Sequence, residues 1–150
     1  MRTKEFNRDG RRVVVAVLDR GDQAVAAVTD AARDHGLEAA QITAVGAFAH
    51  AELGYFDPDR LDYRHIEVDG QVEVLSLLGD IAEKDGSPVM HAHAVLGRPD
   101  GSVVGGHLLH GEVWPTLEVI LTEVGPDLSK KVDPQTGLAL IHLPVPGDEG

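Results

Sequence analysis

The chain contains no cysteine. That excludes disulfides, thiolate metal sites and cysteine nucleophiles together. Aromatic residues make up only 4%, so a core has to be built from Val, Leu, Ile and Ala. Positive charge is scarce: 13 Lys and Arg stand against 25 Asp and Glu, a formal charge of −12. A domain of that sign repels phosphate backbones and anionic lipid, which disfavours nucleic-acid binding by this chain alone. The paired basic residues Arg11-Arg12 and Lys130-Lys131 are too few to make a nucleic-acid face. No apolar run is long enough to span a bilayer, and Met1 to Arg12 lacks the apolar stretch of a signal peptide. A soluble cytoplasmic protein with no membrane partner is the expectation. Gly-x-Gly-x-x-Gly, P-loop and Gly-x-Ser-x-Gly patterns are missing too, which argues against a dedicated nucleotide cradle or a serine-hydrolase elbow.

What is present suits one folded domain over residues 1–150: 43% of the residues are hydrophobic. The core is expected from about residue 11 to 143, with 144–150 a frayed tail. Gly 17 and Pro 8 imply many turns, hence many strands. Arg11 to Leu18 is β-branched and nearly unbroken, the pattern of a strand buried on both faces. Asp19 to Asp22 offers a turn and an N-cap. After it Val25, Val28, Ala31 and Ala32 recur at helical spacing and Gly36 stands at the C-terminal cap position, giving one main helix over about 22–35. Further strands read at 40–45, 51–56, 63–68, 71–82, 89–96, 102–109, 113–124 and 138–143. Gly46-Ala47 is a bend, Asp69-Gly70 a hairpin signal and His110-Gly111-Glu112 a tight connection. Pro115 marks an edge or a bulge, and residues 125–137 form a polar connector. Eight or nine strands with one helix, joined mostly by short turns, make an α+β domain dominated by antiparallel sheet.

The chemistry concentrates in Met90-His91-Ala92-His93 and Gly105-Gly106-His107. Residues two apart on a strand face one side, so His91 and His93 share a face and Ala92 and Ala94 share the other. Pro99-Asp100-Gly101 fits a three-residue hairpin loop, with Gly in the left-handed position. That loop pairs Arg98 with Ser102 and sets His93 directly opposite His107, with His91 diagonal to it. Opposed Cβ atoms lie about 4.5–5.5 Å apart, so three imidazoles can converge on one ion. Neutral imidazole suits zinc, and also iron, nickel or copper, and three protein ligands leave a fourth position open. The competing reading is three satisfied histidines on a polar sheet face, or histidines paired across a subunit interface. His110 falls at the supposed turn. His35, His50, His65 and His142 read as surface or interface residues. Glu118 is a lone carboxylate in an apolar strand: either it faces solvent, or it is a base for a metal-bound water or a partner to a histidine N–H. Glu73 raises the same question.

Gly54-Tyr55-Phe56, then Gly70 to Gly79, Asp85-Gly86, His91-Ala92-His93, Asp100-Gly101, Gly105-Gly106-His107-Leu108 and Val113 to Glu118 resemble, in that order, the PPC (plants and prokaryotes conserved) domain, also written PCC. The resemblance runs from about Arg11 to Leu143. It implies an antiparallel sheet with one helix, assembled as a homotrimer. Plant members carry a Gly-Arg-Phe-Glu-Ile-Leu hexapeptide for partner interaction; here Gly70-Gln71-Val72-Glu73-Val74-Leu75 lacks the Arg and Phe. Plant members also carry a basic Arg-Gly-Arg-Pro hook, and here only Gly97-Arg98-Pro99-Asp100 stands, assigned to the hairpin turn. The fold so implied is similar to that of acetolactate decarboxylase and related zinc hydrolases, whose metal site is a His-x-His plus one further histidine.

Two functions of different class are open. One is a trimeric binding or assembly module with a zinc site at His91, His93 and His107 and a protein or small-molecule partner. The other is a metal-dependent enzyme, a lyase or hydrolase, acting on a small polar substrate with Glu118 as base. A DNA-associated regulator ranks below both because of the charge.

Overall fold

A computed structural model of the chain describes residues 1–125 and 128–143. The expected frayed tail, 144–150, lies outside them. The elements are β1 (Arg2–Arg8), β2 (Arg11–Leu18), α1 (Ala24–Asp34), β3 (Ala40–Asp57), β4 (Asp62–Val68), β5 (Val72–Lys84), β6 (Ser87–Gly97), β7 (Val103–Glu123), β8 (Ser129–Val132) and β9 (Ala139–His142). The sheet runs β1-β2-β7-β3-β5-β8-β9, with β4 beside β3 and β6 bridging β5 and β7. All pairings are antiparallel except a single parallel bridge, Glu83 to Ser129. The α+β expectation therefore holds. Because β3, β5, β6 and β7 each pair with the next and β7 returns to β3, those four strands close on themselves.

The helix packs on one face of this sheet. Ala24, Val28, Ala31 and Ala32 are its buried stripe. They join Leu18, Ile42, Phe48, Leu77, Leu96, Leu117 and Leu121 in one apolar core. Ala92 and Ala94 are buried against it, as their small size allows. Gln23, not Asp22, is the N-cap: its side-chain oxygen accepts from the Ala26 N–H at 2.7 Å. The helix stops as the glycine predicts. Gly36 has φ +61, its N–H donates to the Arg33 carbonyl and that of Leu37 donates to the Ala32 carbonyl.

Several expectations need correction. The strands at 40–45 and 51–56 are one bent strand, β3, whose register shifts at a bulge between Ala44 and Gly46. His110-Gly111-Glu112 is no connection, since β7 runs through it with only register irregularities opposite. A three-residue turn signal loses when both flanking segments are held by neighbours on the same strand. Asp69-Gly70 does not close a hairpin either. β4 folds back on β3, and β5 pairs with the other half of the same strand. Pro115 sits at a bulge, where β7 spans Val113 to Leu117 while β3 spans Phe48 to Gly46. The strand β1 and its Asp9-Gly10 turn have no place in the sequence reading, and β8 lies inside the supposed polar connector.

The strand at 11–18 is buried on one face only: Val14, Ala16 and Leu18 are in the core, while Val13, Val15 and Val17 are partly open. The open sheet face is nonetheless apolar. Val45, Leu75, Leu78 and Ile120 expose about half of their surface there. They line a cavity of about 350 Å³ with Val15 and Glu118.

Candidate metal centre

The histidine hairpin folds in the predicted register. The Arg98 N–H donates to the Ser102 carbonyl, the Gly101 N–H donates to that of Arg98, and Gly101 has φ +83. Asp100 closes the loop by accepting from both the N–H and the hydroxyl of Ser102. His93 consequently stands opposite His107. The three rings are mutual neighbours, with centroids 5.3 Å apart for His91 and His93, 5.2 Å for His91 and His107, and 5.5 Å for His93 and His107. Each offers one nitrogen, and these nitrogens lie within 4.8 Å of one another.

Close backbone approach makes the cluster possible. Opposite Gly106 runs the Gly54 carbonyl, which a Cβ at Gly106 would meet at 2.8 Å. A Cβ at Gly54 would in turn strike the Tyr63 ring at 2.6 Å. Two glycines thus let β3 and β7 press together and let Tyr63, from β4, stack on His107 with centroids 4.7 Å apart.

Behind the rings lies a second set of groups. The Nδ1 of His91 is 3.3 Å from Asp80 Oδ2. Nδ1–H donates there, so Nε2 is left to face the cluster. The other Asp80 oxygen is 2.7 Å from Lys130 Nζ, an ion pair whose approach is not aligned as a directed hydrogen bond. The Lys130 side chain is only 2% exposed. Burial alone would raise the Asp80 carboxyl, but the hydrogen bond from His91 and the Lys130 ammonium beside it outweigh that and hold Asp80 below the usual carboxylate range. Burial, then the neighbouring His91, His93 and Lys130 charges, push His107 down to about 4. Burial and the neighbouring His91 lower His93 as well. These two imidazoles are therefore neutral donors at physiological pH, the state a metal requires.

The Nδ1 of His107 is buried and has no hydrogen-bond partner among the described residues. A buried polar nitrogen without a partner is costly, and an ion held among the three imidazoles is a physical way to satisfy it. The donor set fits zinc. Tyr63, Asp80 and Lys130 were not legible as parts of this site. Lys130 sat in an apparent connector, and Asp80 is opposite His91 only through the pairing of β5 with β6.

Glu118 is not brought to the triad. It lies on the same open face, exposed, but lines the apolar cavity with Val15, Val45 and Ile120. The cavity against the histidines is instead lined by Tyr63, Met90, His91, His107 and Lys130 with the β9 side chains. Glu73 is exposed at the far end of β5. His110 bonds Gln23, His50 meets Glu67, His65 meets Glu52 and His35 meets Glu5 and Thr3. These four sit outside the cluster.

An antiparallel α+β sheet presenting a three-histidine cluster on a hairpin defines the class of protein. The chain belongs to the Plants and Prokaryotes Conserved (PCC) domain family, whose model matches residues 6–125. No curated protein matches it. Among solved structures it is similar to a plant- and prokaryote-conserved protein of Pyrococcus horikoshii, at 30% identity and TM-score 0.84 over 96% of each chain. A metal-containing protein of Archaeoglobus fulgidus is 36% identical, with TM-score 0.81 over 87% of this chain and 93% of that one. A candidate DNA-binding protein of Ralstonia eutropha is 28% identical, with TM-score 0.83 over 94% and 96%. Among the described residues no helix is long and apolar enough to cross a membrane.

Proposed function

We propose that this PCC-domain protein is a cytoplasmic homotrimer holding one divalent ion per chain, zinc by its donor set, on His91, His93 and His107, and that it works as a binding and assembly module. The observation that carries the metal reading is the mutual approach of three imidazole nitrogens within 4.8 Å, with His107 Nδ1 buried and unpartnered among the described residues. The metal-containing Archaeoglobus relative, at 36% identity, supports it. The trimer is supported by the apolar open face. An aliphatic patch of Val45, Leu75, Leu78 and Ile120 on a protein with so strong a net charge is the mark of a surface meant to be covered. Leu78 is paired with His93, so the patch borders the triad.

When bound, zinc on three imidazoles supplies a Lewis acid with one coordination position free. The chain's own part is to orient and to protect. Asp80 fixes the His91 ring, Lys130 fixes Asp80, and Tyr63 covers one face of His107. A second reading, a metal-dependent enzyme on a small polar substrate, is favoured by the cavity of about 240 Å³ against His91 and His107. In that reading Glu118 is no base for this protomer's own site. DNA-associated regulation ranks last: the charge of −12 opposes it. A gel-shift assay at physiological salt showing no retention is the expected result there.

Light scattering and metal analysis of protein purified without chelator or nickel resin test the main reading. Three chains and three ions per particle are expected. A monomer would remove the assembly half of the proposal, and fewer than one ion per particle the metal half.

A further inference from the structure

Lys130 is the group that the metal reading leaves without a ligand-facing role. Its side chain is 2% exposed, yet it forms part of the wall of the 240 Å³ cavity beside His91 and His107. A buried ammonium is costly unless compensated. The fold supplies one counter-charge, Asp80, which is shared with His91 and not squarely aligned to the ammonium. Charge at the site then sums in one direction. Asp80 offsets Lys130, and no carboxylate among the lining residues would offset a divalent ion held by the histidines. With an ion held by the histidines the pocket would be cationic in a chain of net charge −12.

The rest of the wall says what kind of anion fits. Met90, Leu138 and Leu140 are apolar, and the described lining contains no arginine. Phosphate groups call for several directed donors, commonly an arginine fork. One ammonium with aliphatic walls suits a single negative charge on a short apolar body. At about 240 Å³ the cavity has room for a small acid. We propose that this cavity binds a small monocarboxylate, its carboxylate meeting Lys130 Nζ and its alkyl part lying on Met90, Leu138 and Leu140. The proposal rests on the metal reading only for the added positive charge.

Butyrate and its uncharged isostere butyramide are the probes, titrated into zinc-loaded and into EDTA-treated protein and read by methyl NMR and calorimetry. Butyrate should shift the Leu138, Leu140 and Met90 methyl signals saturably and bind the zinc-loaded protein at least about tenfold tighter than butyramide. Lys130→Met, compared with wild type at saturating zinc and at equal measured ion content, should weaken butyrate by about tenfold or more. Should that variant fail to fold, Leu140→Trp fills the mouth of the cavity from a half-exposed position, and it should keep zinc and lose butyrate. Equal affinity for acid and amide, or unchanged butyrate binding in Lys130→Met or Leu140→Trp, overturns the proposal. If wild-type protein takes up no zinc, the metal reading fails alone when butyrate still binds through Lys130. Both fail when it does not.

Discussion

Acidifying the ion-free protein should destabilise it through His107, and the size of the effect follows from the site. In the fold its imidazole is pushed down to about 4, first by burial and then by its positive neighbours. In the unfolded chain it returns to about 6.5. Between those values the unfolded chain holds a proton that the folded chain refuses. Stability from this group is complete above about pH 6.5, falls as the pH drops through the window, and levels off below about 4. A gap of about 2.5 pH units at about 1.4 kcal/mol each sets a ceiling of about 3.5 kcal/mol. The ring is partly open to solvent, so about half of that is the expected loss. The assay is urea denaturation with EDTA present, from about pH 7 to about pH 4.5, on wild type and His107→Asn at one protein concentration. Wild type should lose about 1.5 kcal/mol more than the variant across the window. Parallel pH profiles would refute the reasoning, because they would mean that His107 takes its proton as easily in the fold as out of it. Added zinc should steepen the wild-type profile, since protons and ion compete for the same nitrogens.

Other changes probe other parts of the account. Asp80→Asn removes the carboxylate that orients His91; calorimetry should show zinc affinity falling by about ten- to a hundredfold, and an unchanged affinity would dispose of that role. Gly106→Ala drives a Cβ to within 2.8 Å of the Gly54 carbonyl, which should cost about 1–3 kcal/mol in chemical denaturation and disturb the Tyr63–His107 stack. Leu78→Lys puts a charge at the centre of the open apolar patch. In the proposed trimer each chain would forfeit about 1.5–3 kcal/mol of burial, so light scattering should report its dissociation at micromolar concentration; a variant that still forms trimers would mean that another surface assembles.

The sequence read well where local rules act on their own. The Pro99-Asp100-Gly101 loop decides a register by itself, and the observed pairing of His93 with His107 is the one that its length demands. Gly36 ends the helix for the same kind of reason. Reading failed where a neighbour distant in sequence decides. Arg11 to Leu18 is apolar on both sides, which reads as double burial; one side instead lies on the open apolar face. His110-Gly111-Glu112 has turn chemistry but is held straight by β3. Lys130 looked like part of a solvated connector, and no pattern in its own segment announces that β8 will dock beside β5 and bury it against Asp80. Two opposed histidines could be found from a hairpin rule. The carboxylate, the lysine and the tyrosine around them come from three other strands, and placing those needs the whole sheet.

The proposed function stands or falls on a shared ion at His91, His93 and His107. Metal analysis after reconstitution with zinc and removal of excess tests it most directly, on wild type, His93→Ala and His107→Ala side by side, with circular dichroism to confirm that each is folded. The account predicts one zinc per chain in wild type and loss of tightly held zinc in both variants. No bound zinc in folded wild type, or full occupancy retained by His107→Ala, would contradict it.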